Sequence, residues 1–462
     1  MKQDQALQLL GEALPRLQQA FANLPSAAGS QADDAASAAA MRAVLTELTE
    51  RLADNYPYFH PLYAGQMLKP PHPIARAAYA LAMWINPNNH ALDGGRASSR
   101  LEVEAVREIA AMFGWREYLG HLTSGGTFAN LEALWVAGRL APENAPGKKI
   151  VASENAHYTH HRISSVLGLP FESIAADARG RMDLNALEIA LQSGDVGTVV
   201  VTLGTTSAGA VDSLDRILEL RQRYGFRIHV DAAYGGYFKL VSNLAADAQR
   251  AYARIHEADS IVVDPHKHGL QPYGCGCILF RDPSVGRFYK HDSPYTYFTS
   301  SDLHLGEISL ECSRAGAAAT ALWATQRLLP LTPEGEFAAG LACGRKAALL
   351  VYEKLRHDPR FVAGPEPELD ILVWAMKART LEESSRLAAR VFELAADEDL
   401  HLALAQVPIR FFETGAWPEA PSDGKVTCLR SVLMKPEHLD WVDAIWEKLS
   451  CAASKAVGDP AI

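Results

Sequence analysis

The feature that most constrains the fold of this chain is an alternation of short apolar runs with helical patterns between residues 149 and 280. The runs are rich in β-branched residues, which favours buried strands, and the stretches between them are long enough for helices. The predicted strands cover residues 149–152, 198–203, 227–232, 261–263 and 277–280, and a predicted helix covers residues 214–223. This order predicts an α/β fold whose mostly parallel sheet is covered by helices on both faces. Ligands bind such sheets beyond the carboxyl ends of the strands.

The two ends of the chain show different patterns. Apolar residues at helical spacing, from Leu7 to Phe21 and from Met41 to Leu52, predict two amphipathic helices that pack on a domain or on a second subunit. After residue 330, predicted helices over residues 337–355, 381–395 and 439–449 mix with a strand over residues 369–375. We therefore predict an N-terminal helical segment (residues 1–90), a large α/β domain (91–335) and a small C-terminal α+β domain (336–462).

Composition excludes several classes of function. The chain has 462 residues, of which 48% are hydrophobic and 21% charged, as expected of a globular protein with a large core. Its net charge of −10 argues against a nucleic-acid partner. Because no signal pattern opens the chain and no apolar run approaches the ~18 residues of a membrane span, we expect a cytoplasmic protein. The six cysteines favour free, mostly buried thiols over a metal site.

Lys267 follows the predicted strand over residues 261–263 and lies in a Pro-flanked, Gly-rich turn that runs from Asp264 to Gly276. Such a turn holds the lysine amine on a rigid support at a strand end. The amine is either catalytic, for example as a Schiff-base former, or an ordinary surface group in a turn. Taken alone, the turn leaves both interpretations open.

Two further stretches carry groups suited to binding an anion and a cation. A predicted Gly-rich turn over residues 121–130 opens a predicted helix over residues 131–138. Gly125, Gly126 and Thr127 stand there, where a loop becomes a helix, a geometry that binds phosphate but also occurs in simple tight turns. Asp231 closes an apolar strand and is followed by small residues that leave room for a flat group. A buried carboxylate needs a partner, which is a pyridinium nitrogen, a cation or the backbone of a following helix.

Three histidines, His157, His160 and His161, follow the predicted strand over residues 149–152. No set of carboxylates at ligand spacing accompanies them, so a metal site is disfavoured. We expect one of them to stack on an aromatic ligand or to act as an acid or base. The other two are predicted to be solvent-exposed helix residues.

Five motifs in one order resemble the pyridoxal-phosphate-dependent group II amino acid decarboxylases, which include glutamate, aromatic amino acid and tyrosine decarboxylases. The motifs are Thr-Ser-Gly-Gly-Thr at 123–127, Ser-Glu-Asn-Ala-His-Tyr at 153–158, Gly-Thr-Thr-Ser-Ala-Gly at 204–209, His-Val-Asp-Ala-Ala-Tyr at 229–234 and Asp-Pro-His-Lys-His at 264–268. The resemblance covers roughly residues 55–450. It implies the fold type I of pyridoxal-phosphate enzymes, with a seven-stranded sheet, and decarboxylation of an L-amino acid to its amine and carbon dioxide.

The resemblance also implies a role for individual residues. Lys267 resembles the Schiff-base lysine, Asp231 the carboxylate that pairs with the pyridine nitrogen, and His157 a catalytic histidine stacked on the cofactor ring. Arg430 resembles the arginine that binds the α-carboxylate of the substrate. The remaining cofactor contacts implied by the resemblance are Gly125, Gly126, Thr127, Thr206, Ala233 and His266. An obligate homodimer with active sites at its interface is implied as well.

The chain departs from the family pattern after the lysine strand. Many members carry a long mobile loop there, and a tyrosine of that loop protonates the substrate carbon. The corresponding segment here is shorter and no tyrosine stands at the expected place, although Tyr295, Tyr297 or His304 could substitute. Without a proton donor, the same scaffold would form an aldehyde by oxidative decarboxylation or act as a carbon-carbon lyase.

Other positions carry weaker expectations. Thr299 and Ser300 resemble residues that contact the phosphate across a dimer interface. Asp264 stands where the family often has asparagine, and its carboxylate would disfavour phosphate unless it turns away or finds a cation. Gln66 resembles a substrate-side position of glutamate decarboxylases, but one amide does not identify the substrate.

Overall fold

A computed structural model describes residues 3–24, 34–141, 148–290, 304–413 and 415–458. In chain order, the helices are α1 (Gln3–Gln19), α2 (Asp34–Leu52), α3 (Pro73–Met83), α4 (Leu92–Met112), α5 (Gly126–Leu140), α6 (Thr159–Leu167), α7 (Leu184–Leu191), α8 (Leu214–Tyr224), α9 (Ala246–Ala253), α10 (Gly316–Leu328), α11 (Glu336–His357), α12 (Leu381–Asp397) and α13 (Val442–Val457).

The strands fall into two sheets. The first contains β1 (Leu119–Thr123), β2 (Lys149–Ser153), β3 (Phe171–Ile174), β4 (Val196–Thr202), β5 (Arg227–Asp231), β6 (Ser260–Val263) and β7 (Gly276–Phe280). The second contains β8 (Phe361–Ala363), β9 (Ile371–Met376), β10 (Ala403–Pro408) and β11 (Lys425–Val432).

The seven-stranded sheet confirms the α/β prediction. Its strand order is β1-β7-β6-β5-β4-β2-β3, and the pairs from β6 through β3 are parallel, whereas β7 runs antiparallel to both β1 and β6. The central strands are apolar and mostly buried because helices cover both faces of a parallel sheet. The parallel register pairs Thr202 of β4 with Asp231 of β5, and Asp231 with Val262 of β6. Three neighbouring strands therefore end at one edge.

The sequence prediction was wrong around residue 121. It placed a Gly-rich turn over residues 121–130 and a helix over 131–138, whereas residues 119–123 form β1 and α5 begins at Gly126. The strand was not predicted because His121 interrupts the apolar pattern that is typical of a buried segment. In the fold His121 is buried and its Nε2 lies 3.0 Å from Oε2 of Glu132 on α5.

The C-terminal sheet is antiparallel throughout, in the order β10-β11-β9-β8. Helices α11, α12 and α13 pack with it around a second hydrophobic core that includes the buried Trp374. The α+β character predicted for this region agrees with these elements. The domain boundaries at residues 90 and 335 stay a prediction.

The N-terminal helices differ in how they pack. Helix α1 packs against α3, whereas the apolar face of α2 is exposed. No helix in the described ranges is both long and apolar enough to cross a membrane. All six cysteines are free, but only three of them are buried, so the prediction of mostly buried thiols is half correct; those three are Cys275, Cys277 and Cys428.

Candidate active site

A cavity of about 460 Å³ lies at the edge where β4, β5 and β6 end and α5 begins. This is the position that the strand-end rule predicts for a ligand site in a mostly parallel sheet. Nine of the ten nominated residues line it: Gly125, Gly126, Thr127, His157, Thr206, Asp231, Ala233, His266 and Lys267. Arg430 is not part of the cavity wall.

The first turn of α5 forms one wall of the cavity, and its backbone is tightly enclosed. A Cβ added to Gly126 would lie 2.6 Å from Oδ2 of Asp264. A Cβ added to Gly276, at the start of β7, would lie 2.6 Å from the backbone of Gly125. Glycine at both positions therefore lets the start of α5 lie against Asp264 and the start of β7 lie against Gly125. Since the first amide groups of a helix have no intrahelical acceptor, they face the cavity as an anion site.

Lys267 and Asp264 form an ion pair beside this helix end. The Lys267 Nζ lies 3.1 Å from Oδ2 of Asp264, and the carboxylate is almost completely buried. Oδ1 of Asp264 has no hydrogen-bond partner among the described residues. The sequence analysis expected Asp264 either to turn away from a phosphate or to pair with a cation. The structure shows the second arrangement, and the cation is Lys267.

His266 is anchored by the turn that carries Lys267. Its Nδ1 donates to the carbonyl of Cys275 at 2.8 Å, and its ring lies 4.8 Å from that of Tyr273. Burial lowers the pKa of His266, so the ring is neutral near pH 7. His266 therefore contributes a fixed, uncharged surface to the cavity.

Asp231 is a buried carboxylate with three hydrogen-bond donors. His160 Nε2 and Asn130 Nδ2 lie 2.8 and 3.2 Å from its Oδ2, and the Ala233 amide donates to Oδ1 at 3.1 Å. Burial alone would raise the pKa of Asp231. The hydrogen bond from His160 and the charge of Lys267 outweigh burial and hold the pKa below its usual range, so the side chain is ionised.

A chain of polar groups fixes the orientation of Asn130. His229 is neutral because burial lowers its pKa to about 3. Its Nδ1 lies 2.8 Å from the hydroxyl of Ser260, and its Nε2 lies 2.8 Å from Oδ1 of Asn130. Because Oδ1 of an amide only accepts, His229 donates from Nε2, and the NH₂ group of Asn130 is directed toward Asp231.

His157 is held as a neutral ring at the cavity wall. Burial lowers its pKa, and its Nδ1 accepts a hydrogen bond from the backbone amide of Thr159 at 3.4 Å, with the Thr159 hydroxyl 2.8 Å from the same nitrogen. The remaining proton therefore resides on Nε2. A neutral aromatic ring with one donor fits either a stacking or a proton-holding role.

The prediction for His160 was wrong. It was expected to be an exposed helix residue, but it is fully buried and contacts Asp231, whereas His161 is exposed as predicted. The reason is that α6 begins at Thr159, so helical rotation turns His160 inward and His161 outward. This orientation cannot be read without the position of the helix start.

Arg430 lies on β11 of the C-terminal sheet and is buried. Its Nη1 donates to the carbonyl of Gly65 and to Oε1 of Gln66, both at 3.3 Å, while Nε and Nη2 have no partner among the described residues. Two free donors on a buried cation suit an anionic ligand.

The chemistry of the cavity fits pyridoxal phosphate. The helix start and the hydroxyls of Ser124 and Thr127 suit a phosphate, Asp231 suits a pyridinium nitrogen, and Lys267 suits an aldehyde. Thr202 supplies an independent sign, because its buried hydroxyl lines the cavity and has no partner in the described part of the chain. A polar ligand would satisfy it.

Several residues of the cavity wall were not nominated from the sequence, among them Asn130, Thr159, Thr202 and Tyr234. The strand-end rule could have identified Thr202, which closes β4. Tyr234 lies within a quoted motif without an assigned role.

The proton-donor candidates divide into two groups. Tyr295 and Tyr297, like Thr299 and Ser300, lie in residues 291–303, outside the described residues. His304 is described and buried, and its Nδ1 accepts from the Leu92 amide at 3.1 Å. It does not line the cavity, which agrees with a packing role.

Comparisons with known proteins show which proteins this chain is similar to. The family model described as the pyridoxal-dependent decarboxylase conserved domain matches residues 57–374. L-tyrosine decarboxylase of Enterococcus faecium is 27% identical, with 85% of each chain covered. A probable L-tyrosine/L-aspartate decarboxylase of Methanothermobacter thermautotrophicus is 29% identical over 57% of this chain and 70% of that protein. A crystal structure of Oryza sativa TDC with PLP and tryptamine has a TM-score of 0.76 at 18% identity, covering 95% of this chain and 91% of that one, which shows a shared fold.

We expect Gly126→Ala to weaken binding of pyridoxal phosphate to the apoprotein by about tenfold or more, since an overpacked contact displaces the loop or the Asp264 carboxylate. Fluorescence titration measures the dissociation constant. The matched control is Gly286→Ala, whose added carbon would meet Leu119 at an ordinary 3.6 Å. Equal affinity of the two variants would contradict the enclosed helix start.

Proposed function

Because the chain belongs to the pyridoxal-dependent decarboxylase family, and is thereby a pyridoxal-phosphate-dependent amino acid decarboxylase, we propose that its reaction depends on Lys267 and Asp231. The observation that carries this proposal is the placement of both side chains on one cavity, with the start of α5 at its wall. A lysine amine, an ionised carboxylate and a helix start together match the three polar ends of the cofactor.

Each group of the chain has a distinct task in this proposal. Lys267 binds the cofactor covalently through its amine, which must be neutral to attack. The amides at the start of α5 and the hydroxyl of Thr127 bind the phosphate, with Thr206 and His266 beside them. When bound, pyridoxal phosphate supplies the electron sink that accepts the electron pair left at Cα by loss of carbon dioxide.

The environment of Asp231 supports its task. An ionised carboxylate keeps a proton on a pyridine nitrogen, and the buried donors around Asp231 keep it ionised. Ala233 and His157 line the same cavity and provide, respectively, a small surface and an aromatic one. His157 also holds a proton at Nε2 within the site.

Arg430 is proposed to bind the α-carboxylate of the substrate. Its two free N–H groups donate to the two oxygens of a carboxylate in bidentate geometry, which orients the bond that breaks. The side chain of Gln66 already contacts the guanidinium. The names of the relatives make tyrosine and aspartate the first substrates to test.

We expect Lys267→Ala to lose the absorbance band near ~420 nm that lysine-bound pyridoxal phosphate gives, because none of the other described residues that line the cavity is a lysine. Decarboxylation should fall by roughly three orders of magnitude or more. Borohydride reduction followed by mass spectrometry of the wild type should label Lys267. Lys239→Ala, in the turn after β5 and outside the cavity wall, is the control and should keep the band.

We expect the enzyme to release amine and carbon dioxide in equal amounts. Tyrosine and aspartate should be tested first, then the other standard amino acids, cysteine sulfinate and dihydroxyphenylalanine, with carbon dioxide, amine, aldehyde and peroxide measured separately. Peroxide together with aldehyde would replace this proposal by the oxidative alternative. Products of carbon-carbon cleavage without carbon dioxide would indicate a lyase.

The proposal includes a homodimer with active sites at its interface, located in the cytoplasm. Five apolar side chains on one face of α2 are 46–64% exposed, and a second copy would cover them: Met41, Val44, Leu45, Leu48 and Leu52. A contiguous apolar face of this kind is unfavourable in water and suits a symmetric contact.

The six free cysteines support a reducing compartment such as the cytoplasm.

We expect the double substitution Leu45→Asp and Leu48→Asp to convert the dimer to monomer, because it places charges in the apolar contact. Size-exclusion chromatography with light scattering measures the mass. Glu50→Ala, on the same helix, should leave the dimer intact. A dimer that persists with both aspartates would exclude α2 from the interface.

A further inference from the structure

We propose that His160 is a positioning residue that holds the Asp231 carboxylate in one orientation at the cofactor site. The inference rests on the proposed role of Asp231. It adds that a second residue sets the orientation of the Asp231 carboxylate. His160 does not line the cavity and therefore acts only through Asp231.

The contact between the two side chains is short and fully enclosed. Nε2 of His160 lies 2.8 Å from Oδ2 of Asp231, and neither side chain is more than 5% exposed. Because an ionised carboxylate only accepts hydrogen bonds, Nε2 carries the proton and donates it.

The other ring nitrogen shows that packing does not explain this histidine. Nδ1 of His160 is buried and has no hydrogen-bond partner among the described residues. A buried polar atom without a partner costs free energy, whereas an apolar side chain would fill the same space without that cost. The contact with Asp231 is the interaction that compensates for it.

Three donors from three different elements determine the orientation of the carboxylate. His160 on α6 and Asn130 on α5 approach Oδ2, and the backbone amide of Ala233 approaches Oδ1. Without His160, Oδ2 would keep only the longer contact from Asn130, at 3.2 Å. The carboxylate would then be less stabilised as an anion and free to rotate.

The structure selects the substitutions that test the proposal. The amide nitrogen of glutamine can occupy the position of histidine Nε2, whereas that of asparagine reaches only the position of Nδ1. His160→Gln should therefore keep the hydrogen bond to Asp231, and His160→Asn and His160→Leu should lose it. His161→Leu, one residue further on the exposed face of α6, is the matched control.

Three measurements apply to each variant: the dissociation constant of pyridoxal phosphate for the apoprotein, the absorbance spectrum of the holoenzyme, and kcat and KM. Loss of a hydrogen bond to a charged group predicts that His160→Leu and His160→Asn weaken cofactor binding about tenfold and lower kcat about tenfold, with KM within about twofold. The absorbance band should shift in both. His160→Gln and His161→Leu should resemble the wild type.

A double-mutant cycle separates this inference from the proposed function. In the Asp231→Asn background, His160→Leu should have no further effect on cofactor affinity, because its route of action is gone. If Asp231→Asn is impaired while His160→Leu and His160→Asn bind and react like wild type, the inference is overturned and the proposed function stands. If Asp231→Asn itself changes nothing, the proposed role of Asp231 fails.

Should His160→Leu not fold, the comparison of His160→Gln with His160→Asn decides, and equal behaviour of those two variants would overturn the inference.

Discussion

The buried negative charge of Asp231 is the constraint on which the rest of the site depends. A carboxylate removed from water is unfavourable unless donors surround it, and here those donors come from α5, α6 and the turn after β5. One of these donors is itself directed by its neighbours, since His229 and Ser260 set the orientation of the Asn130 amide. The helices around β5 are therefore tied to one charge as well as to the hydrophobic core.

A second constraint joins the anion-binding helix start to the lysine turn. The backbone of Gly126 lies against the Asp264 carboxylate, which in turn pairs with Lys267. Gly276 lets β7 approach the loop before α5. The phosphate site and the reactive amine thus share one packed unit. This packing accounts for glycine at the start of α5 and at the start of β7, beside the charged pair that follows β6.

Much of the fold could be predicted from the sequence, because the patterns that indicate its strands and helices extend over only a few neighbouring residues. Runs of β-branched residues predicted β2, β4, β5, β6 and β7 to within a few residues, and periodicity predicted α8, α11 and α12. β1 was missed because His121 interrupts an apolar pattern, and its burial becomes favourable only when Glu132 of α5 lies opposite. The wall residues of the site were mostly predicted, through motifs at strand ends. Arg430 is the exception, because the strand that carries it belongs to the second sheet and its distance from the first is not encoded in any local pattern.

The sequence by itself determined the parallel sheet, the glycine-rich helix start and the chemical types of the main site residues, since each of these depends on neighbours within a few positions along the chain. The tertiary structure alone decided which of three clustered histidines meets Asp231, which cation balances Asp264, and which side chains complete the cavity wall. These outcomes depend on the rotation of α6 and on the parallel register of β4, β5 and β6, which bring together residues up to about a hundred positions apart. Burial then gives those contacts their strength, because the same charges exposed to water would interact only weakly.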